Sequence, residues 1–131
     1  MDLQAKDFAD SCVIFDDVDV LTNKAIKKQV FLILDSILQT GRHYKTSFIF
    51  TSHAACNGLQ TKIILNEATQ ITVFPKTSGN KALNYLADQY LGLDKHQTAA
   101  LKKVSGRWLT CVRSYPRCIL TEQTCYLLNH A

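Results

Sequence analysis

Two segments of the sequence place polar side chains directly after short apolar runs. Residues 11–15 (SCVIF) precede Asp16 and Asp17, and residues 47–50 (SFIF) precede the polar triplet at residues 51–53. Continuous apolar runs of this length are typical of buried parallel strands. Because the carboxyl ends of parallel strands meet at one edge of an open α/β sheet, we expect the two polar clusters to share a site there.

The first cluster has the composition of a magnesium site. Mg²⁺ prefers hard oxygen ligands and keeps several of its waters. One carboxylate can hold the metal while its neighbour orients and deprotonates a water molecule. Consecutive acids after a strand also begin turns or cap helices, so the pair has a purely structural interpretation as well. The coincidence of Asp16 and Asp17 with a second polar strand end favours the chemical one.

These side chains need a layered α/β scaffold to position them. Thr22 or Asn23 can cap a helix that runs to about Gln39 and stops at Gly41. A third strand is expected near residues 69–74, beside strands near 12–16 and 47–51. The sequence therefore predicts an α/β three-layer sandwich with a mostly parallel sheet.

The remaining residues predict two further helices and a β-hairpin. A helix starts at Ser78 or Asn80, and Asp94 with Gln97 forms a capping-box-like start for the next. The antiparallel hairpin is expected at about residues 107–128. Repeats and linkers are absent from the sequence, so residues 1–131 are expected to form a single partial domain with the hairpin as an addition.

Composition excludes several classes of protein. The chain has 131 residues, of which 47% are apolar and 20% charged, which excludes collagen-like, low-complexity and strongly disordered chains. No apolar run approaches the roughly 18 residues of a membrane span, and no signal peptide is evident at the N-terminus. Five cysteines form neither a Cys-x-x-Cys pair nor a zinc spacing, so no disulfide or zinc site is expected. We therefore expect a soluble, intracellular protein.

Charge is distributed unevenly along the chain. Residues 1–20 hold six acids and one base, whereas residues 21–131 hold 14 bases and five acids. A basic body can favour phosphate-rich partners. The bases are scattered rather than clustered, however, which favours an ordinary solvated surface.

The strand with Asp16 and Asp17, the long helix, and the sequence GRHYKTSFIFTSH at residues 41–53 resemble the DNA-packaging ATPases of large double-stranded DNA viruses. These ATPases belong to the FtsK/HerA-like branch of P-loop NTPases, and the resemblance covers roughly residues 10–75. It implies a P-loop NTPase-like fold whose Walker B strand lies at residues 13–17.

The resemblance also implies roles for individual residues. Asp16 would hold Mg²⁺ through water, and Asp17 would stand where the family usually places the catalytic Glu. The polar end at residues 51–53, with Ser52 and His53 as its site residues, would be the sensor that touches the γ-phosphate or the attacking water. Arg42 would be an arginine finger acting on the neighbouring subunit, where it would stabilise charge on the transferring phosphoryl group. Arg42 has an equally plain interpretation as a basic residue near a helix C-terminus.

The sequence departs from the family pattern at three points. Asp17 is one methylene shorter than the usual Glu, and Ser52 and His53 replace the Gln or Asn that is common at the sensor. The motif G-x-x-x-x-G-K-[ST], whose amides and lysine bind the phosphates, is absent from the sequence. The resemblance implies that this Walker A strand and its helix precede Met1, and that the strand lies between those at 47–51 and 69–74. The chain is then expected to be inactive alone, as a shortened, split or decayed copy.

For the intact protein, the resemblance implies an ATP-hydrolysing motor that requires Mg²⁺ and ATP. Its partners would be double-stranded DNA, capsid or portal proteins and further copies of itself in a ring, with no membrane span. It would act in the host cytoplasm or virus factory, or travel in the virion.

Two other functions fit parts of the sequence. A haloacid dehalogenase-like phosphatase would use Asp17 as nucleophile and Asp19 as acid/base, although Val20 stands where that family has Gly and the later acid pair is missing. A non-catalytic subunit would instead use the basic body and the hairpin to bind a partner chain or nucleic acid.

Overall fold

The computed structural model describes residues 2–53 and 59–128. They form two compact units, divided between Gln60 and Thr61. The described part is mixed α/β, with one parallel two-stranded sheet and one antiparallel four-stranded sheet. No helix in this part is both long and apolar enough to cross a membrane.

The first unit is built on two parallel strands and one long helix. Strands β1 (Cys12–Phe15) and β2 (Ser47–Phe50) pair in parallel, and helix α1 (Lys24–Thr40) connects them. Short 3₁₀ turns lie at Ala5–Phe8 and Val18–Val20. These bounds confirm the first two predicted strands and the predicted long helix.

The sequence of α1 explains its start and its packing. The Asn23 side chain accepts hydrogen bonds from the Ala25 and Ile26 amides, which confirms the predicted cap. Apolar residues at helical spacing turn one face of α1 inwards, where Leu34 is fully buried. The rings of Phe31 and Phe50 lie 6.4 Å apart and join α1 to β2.

The other face of the parallel pair is exposed. Ile14 and Ile49 are opposite each other in the register and are 64% and 51% exposed, and the neighbouring Cys12 is exposed as well. Apolar side chains on both faces of a strand are the pattern of a sheet covered on both sides. The described residues of the first unit cover only the α1 side.

The second unit contains the antiparallel sheet and the remaining helices. Its strands are β3 (Gln70–Val73), β4 (Leu109–Val112), β5 (Cys118–Thr121) and β6 (Cys125–Leu127), in that order across the sheet. The helices are α2 (Leu59–Glu67), α3 (Asn80–Leu86), which continues as a π-helical turn at Ala87–Leu91, and α4 (Lys95–Lys102).

Several predictions for this half are confirmed. The β4–β5 hairpin lies where the sequence placed it, and Asp94 and Gln97 form a full capping box at α4. The core of the second unit lies around the fully buried Leu91, Leu109 and Cys111.

The third strand lies where it was predicted, but its pairing is antiparallel rather than parallel. Strand β3 pairs antiparallel with β4, so parallel pairing is limited to β1 and β2 among the described residues. The reason lies in the alternation of the strand: Ile71 and Val73 are buried while Gln70 and Thr72 point to the exposed face. Alternation of this kind belongs to an antiparallel sheet with one solvated face. The hydroxyls of Thr72 and Thr110 lie 2.7 Å apart across the pair.

Candidate functional site at the ends of the parallel strands

The carboxyl ends of β1 and β2 bring the two predicted polar clusters together. The parallel register places Phe15 beside Phe50, so Asp16 and Thr51 are the first residues beyond the paired strands. The Thr51 amide donates to the Phe15 carbonyl (3.0 Å), which extends the ladder by one bond. The two polar strand ends that the sequence placed at one edge are therefore neighbours in the structure.

Thr51 joins the two acids. Its hydroxyl donates to the Asp16 carboxylate, with 2.6 Å between Oγ1 and Oδ1, and accepts from the Asp17 amide at 3.1 Å. One hydroxyl thus fixes the side chain of the first acid and the backbone of the second. The resemblance placed Thr51 within the sensor triplet, but its hydrogen bonds to both acids were not predicted.

Asp17 has a left-handed backbone conformation, with φ 51° and ψ 33°. Residues other than glycine seldom adopt this region, although Asp tolerates it better than most. The turn ends the line of β1 and begins the 3₁₀ turn at Val18–Val20. Its carboxylate lies 3.0 Å from the His53 Nε2, and the two side chains are 49% and 76% exposed. The structure therefore brings Asp17 and His53 together as a solvent-accessible acid–imidazole pair.

Asp19 is a site residue that the ATPase interpretation missed. Its Oδ2 accepts a hydrogen bond from the Ser52 hydroxyl at 2.9 Å, and its main-chain carbonyl accepts one from the Lys27 ammonium at 3.1 Å. Its other carboxylate oxygen, Oδ1, is buried and has no hydrogen-bond partner among the described residues. The Asp17-x-Asp19 spacing was the available signal, because a 3₁₀ turn returns the second acid towards the strand end.

Arg42 lies away from this cluster. It follows α1 in the turn that leads into β2, at the amino end of that strand, and its side chain is exposed. The cluster lies beyond the carboxyl end of the same strand, and four extended residues span about 13 Å. The structure therefore does not bring Arg42 to the acids of its own chain.

The donor set of the cluster is suited to a partly hydrated hard cation. Two carboxylates plus waters and phosphate oxygens are a common Mg²⁺ environment. Within residues 2–53 and 59–128, no three His, Cys, Asp or Glu side chains are grouped closely enough to hold a metal by themselves. Asp16 and Asp17 offer hard oxygen ligands at this strand end, and a metal held there would need further ligands from outside the described residues.

Comparison with known proteins identifies a viral relative. An uncharacterized protein of the Sputnik virophage, V3, is 38% identical over 120 residues, which cover 89% of this chain and 48% of V3. The chain spans about half the length of this curated relative. No family model matches the sequence, and no solved structure matches it.

Proposed function

We propose that this chain supplies the Walker B half of an FtsK/HerA-like ATPase that packages viral double-stranded DNA. The observation that carries the proposal is the hydroxyl of Thr51, which bonds to both Asp16 and Asp17 across neighbouring parallel strands. Nucleotide hydrolysis needs a metal-holding acid, a water-orienting acid and a polar sensor at one sheet edge. The cluster contains a residue suited to each role.

The role of each residue follows from its contacts. Asp16, fixed by Thr51, would hold Mg²⁺, which supplies charge neutralisation at the phosphates. Asp17 would orient water, and its exposed pairing with His53 leaves it room to move from the imidazole to a water molecule. Ser52, held by Asp19, and His53 would sense the bound phosphate. Because Asp17 is short for its role, we expect His53 to contribute to orienting the water.

The open edge of β2 supports the proposal of a Walker A strand. The resemblance implies such a strand beside the counterpart of β2. Among the described residues β2 pairs with β1 alone, so its other edge has no partner strand. The exposed face of Ile14 and Ile49 is likewise what a strand pair would present before a second helical layer covers it.

The phosphate-binding part of the site would lie outside these residues. The sequence contains no Walker A motif, so Asp16 and Asp17 fit the metal whereas no described loop fits the triphosphate. The virophage relative favours a viral origin, and it is about twice as long as its matched segment. A protein of that length has room for a Walker A strand and helix.

Arg42 is compatible with a finger that acts between subunits. It is exposed and lies at the opposite end of β2 from the acids, so it would reach a nucleotide only in a neighbouring copy. A ring of copies, with double-stranded DNA and capsid or portal proteins as partners, completes the proposed motor.

The phosphatase alternative is less well supported by the contacts of Asp19. A haloacid dehalogenase-like enzyme needs this acid to exchange a proton with the leaving group. Here Oδ1 is buried and Oδ2 already accepts a hydrogen bond from Ser52, so only one, partly engaged oxygen of Asp19 is open to a substrate. Hydrolysis of a small phosphate ester that Asp17→Asn abolishes would favour the phosphatase instead.

Turnover of Mg²⁺-ATP tests the proposal. We expect no turnover by the 131-residue chain alone and turnover once a Walker A segment is present in the same protein. In that protein, Asp16→Ala should abolish turnover, whereas Asp88→Ala, an exposed acid of the second unit, should leave it unchanged.

Arg42→Ala separates the finger from a structural role. We expect turnover to be lost and nucleotide binding to be retained, since the finger acts only on the neighbouring site. Robust turnover by the isolated chain, or full turnover by Asp16→Ala in the longer protein, would contradict the proposed function.

A further inference from the structure

A groove runs along one face of α1, and its lining combines basic and apolar side chains. It encloses about 270 Å³ and is lined by Lys24, Lys27, Lys28, Phe31, Leu32 and Asp35. These positions are three or four residues apart, so they form one stripe along the helix. We call this stripe the lysine groove.

The lysine groove has an excess of positive charge. Three ammonium groups face a single carboxylate, Asp35, at the far end of the stripe. The ion pairs found among residues 2–53 and 59–128 involve none of these lysines. Their position at the start of α1 also opposes the helix dipole, whose positive end lies there. Helix stability therefore does not explain the cluster, and an external anion would.

The lysine groove is linked to the strand-end cluster by two hydrogen bonds. Lys27 donates to the main-chain carbonyl of Asp19, and the Oδ2 of Asp19 accepts from Ser52. Lys27 and Ser52 therefore both contact Asp19, so a ligand bound to Lys27 would be connected to Ser52 through this one residue.

We propose that the lysine groove is the surface on which this chain contacts the phosphate backbone of double-stranded DNA. Lysine ammonium groups bind phosphates as point charges and release the counterions that surround DNA. The net charge of the whole chain, +4, is compatible with a polyanionic partner. The inference deepens the proposed function by naming its DNA contact, and it rests on that function only for the choice of DNA as the polyanion.

The binding of a short fluorescein-labelled DNA duplex, measured by fluorescence anisotropy without nucleotide over a range of salt concentrations, tests this inference. Lys24→Ala with Lys28→Ala removes two exposed charges of the groove. We expect affinity to fall about tenfold and the slope of log affinity against log salt to decrease by about 2.

A matched control removes the same charge elsewhere. Lys102 and Lys103 are exposed at the end of α4, and Lys102→Ala with Lys103→Ala should change affinity by less than about twofold. Lys24→Arg with Lys28→Arg changes the same two positions but keeps their charge, and it should keep the affinity. Retained affinity in this variant would show that the alanine variant loses binding because it loses charge. Equal weakening by the groove and control variants would show a diffuse charge effect and overturn the inference.

Two further outcomes would also overturn it. The first is a wild-type chain that binds no DNA. The second is a groove variant that loses binding to polyglutamate while its DNA affinity is unchanged, which would assign the groove to an acidic protein. Because the assay contains no nucleotide, these failures are distinguishable from failure of the ATPase proposal. That proposal is judged by turnover in the longer protein.

Discussion

The two sheets in the described part of the chain differ in how completely their apolar side chains are buried. The parallel pair β1–β2 buries one face against α1 and leaves Ile14 and Ile49 exposed, while polar side chains gather at its carboxyl end. The antiparallel sheet buries Leu109 completely and has a formed core. The candidate site therefore lies in the unit whose sheet still exposes one apolar face.

Basic residues also differ between the two units. In the second unit, Arg113 donates to the carbonyls of Leu65 and Ala68 at the end of α2, and Arg117 donates to the carbonyl of Leu91. These guanidinium groups satisfy helix C-termini, as capping requires. In the first unit, Lys24 and Lys28 have no such internal role. A count of basic residues therefore overstates the surface available to nucleic acid.

The largest effect is expected from breaking the formed core. Leu109→Ala in β4 should reduce the free energy of unfolding by about 2–5 kcal/mol, because a fully buried side chain leaves a cavity. Ile14→Thr in β1 should change it by less than about 0.5 kcal/mol, since the side chain is exposed and the strand keeps a β-branched residue. Urea unfolding of both variants measures the contrast. A large loss in Ile14→Thr would mean that the exposed face is covered in solution.

An intermediate effect is expected at the strand-end cluster. Thr51→Val keeps the shape of the side chain but leaves the Asp17 amide and the Asp16 carboxylate without their partner. We expect a loss of about 0.5–1.5 kcal/mol in unfolding free energy. Thr51→Ser retains the hydroxyl and serves as the control. If the valine and serine variants unfold alike, the hydrogen bonds of Thr51 do not stabilise the cluster.

The smallest effect concerns pH and the core of the second unit. Burial raises the pKa of the Cys111 thiol above its ordinary value, against a smaller lowering by Arg117 and Arg113. The unfolded thiol therefore ionises first, and the free energy of unfolding falls as pH rises above about 9. Cys111→Ala should reduce this pH dependence relative to the wild-type chain. Unfolding curves at pH 8 and pH 10 compare the two chains; an unchanged slope in Cys111→Ala would contradict the assignment.

Local sequence signals predicted several of the elements and the meeting of the two polar strand ends. The Asn23 cap and the Asp94–Gln97 capping box are short-range interactions, so the residues that form them are readable in the sequence. The meeting of Asp16 with Thr51 was predictable because parallel strands bring their carboxyl ends together.

Partners distant in sequence were not predictable in the same way. The pairing of β3 with β4 depends on residues about 40 positions away, although the alternation of buried Ile71 and Val73 was an overlooked signal. The Arg113 contact with Ala68 similarly joins residues 45 positions apart. The contacts of Asp19 and Lys27 depend on the 3₁₀ turn that follows β1. The Asp17-x-Asp19 spacing was a signal for the acid, whereas no short motif indicated the contact of Lys27.

The coding sequence upstream of Met1 tests the central claim most directly. Reading about 100 codons there should reveal G-x-x-x-x-G-K-[ST] directly after an apolar strand, in the same or a neighbouring frame. That result would supply the Walker A strand for the open edge of β2. An unrelated gene or a stop-rich spacer at this place would contradict the account, and the non-catalytic subunit would then be the better interpretation.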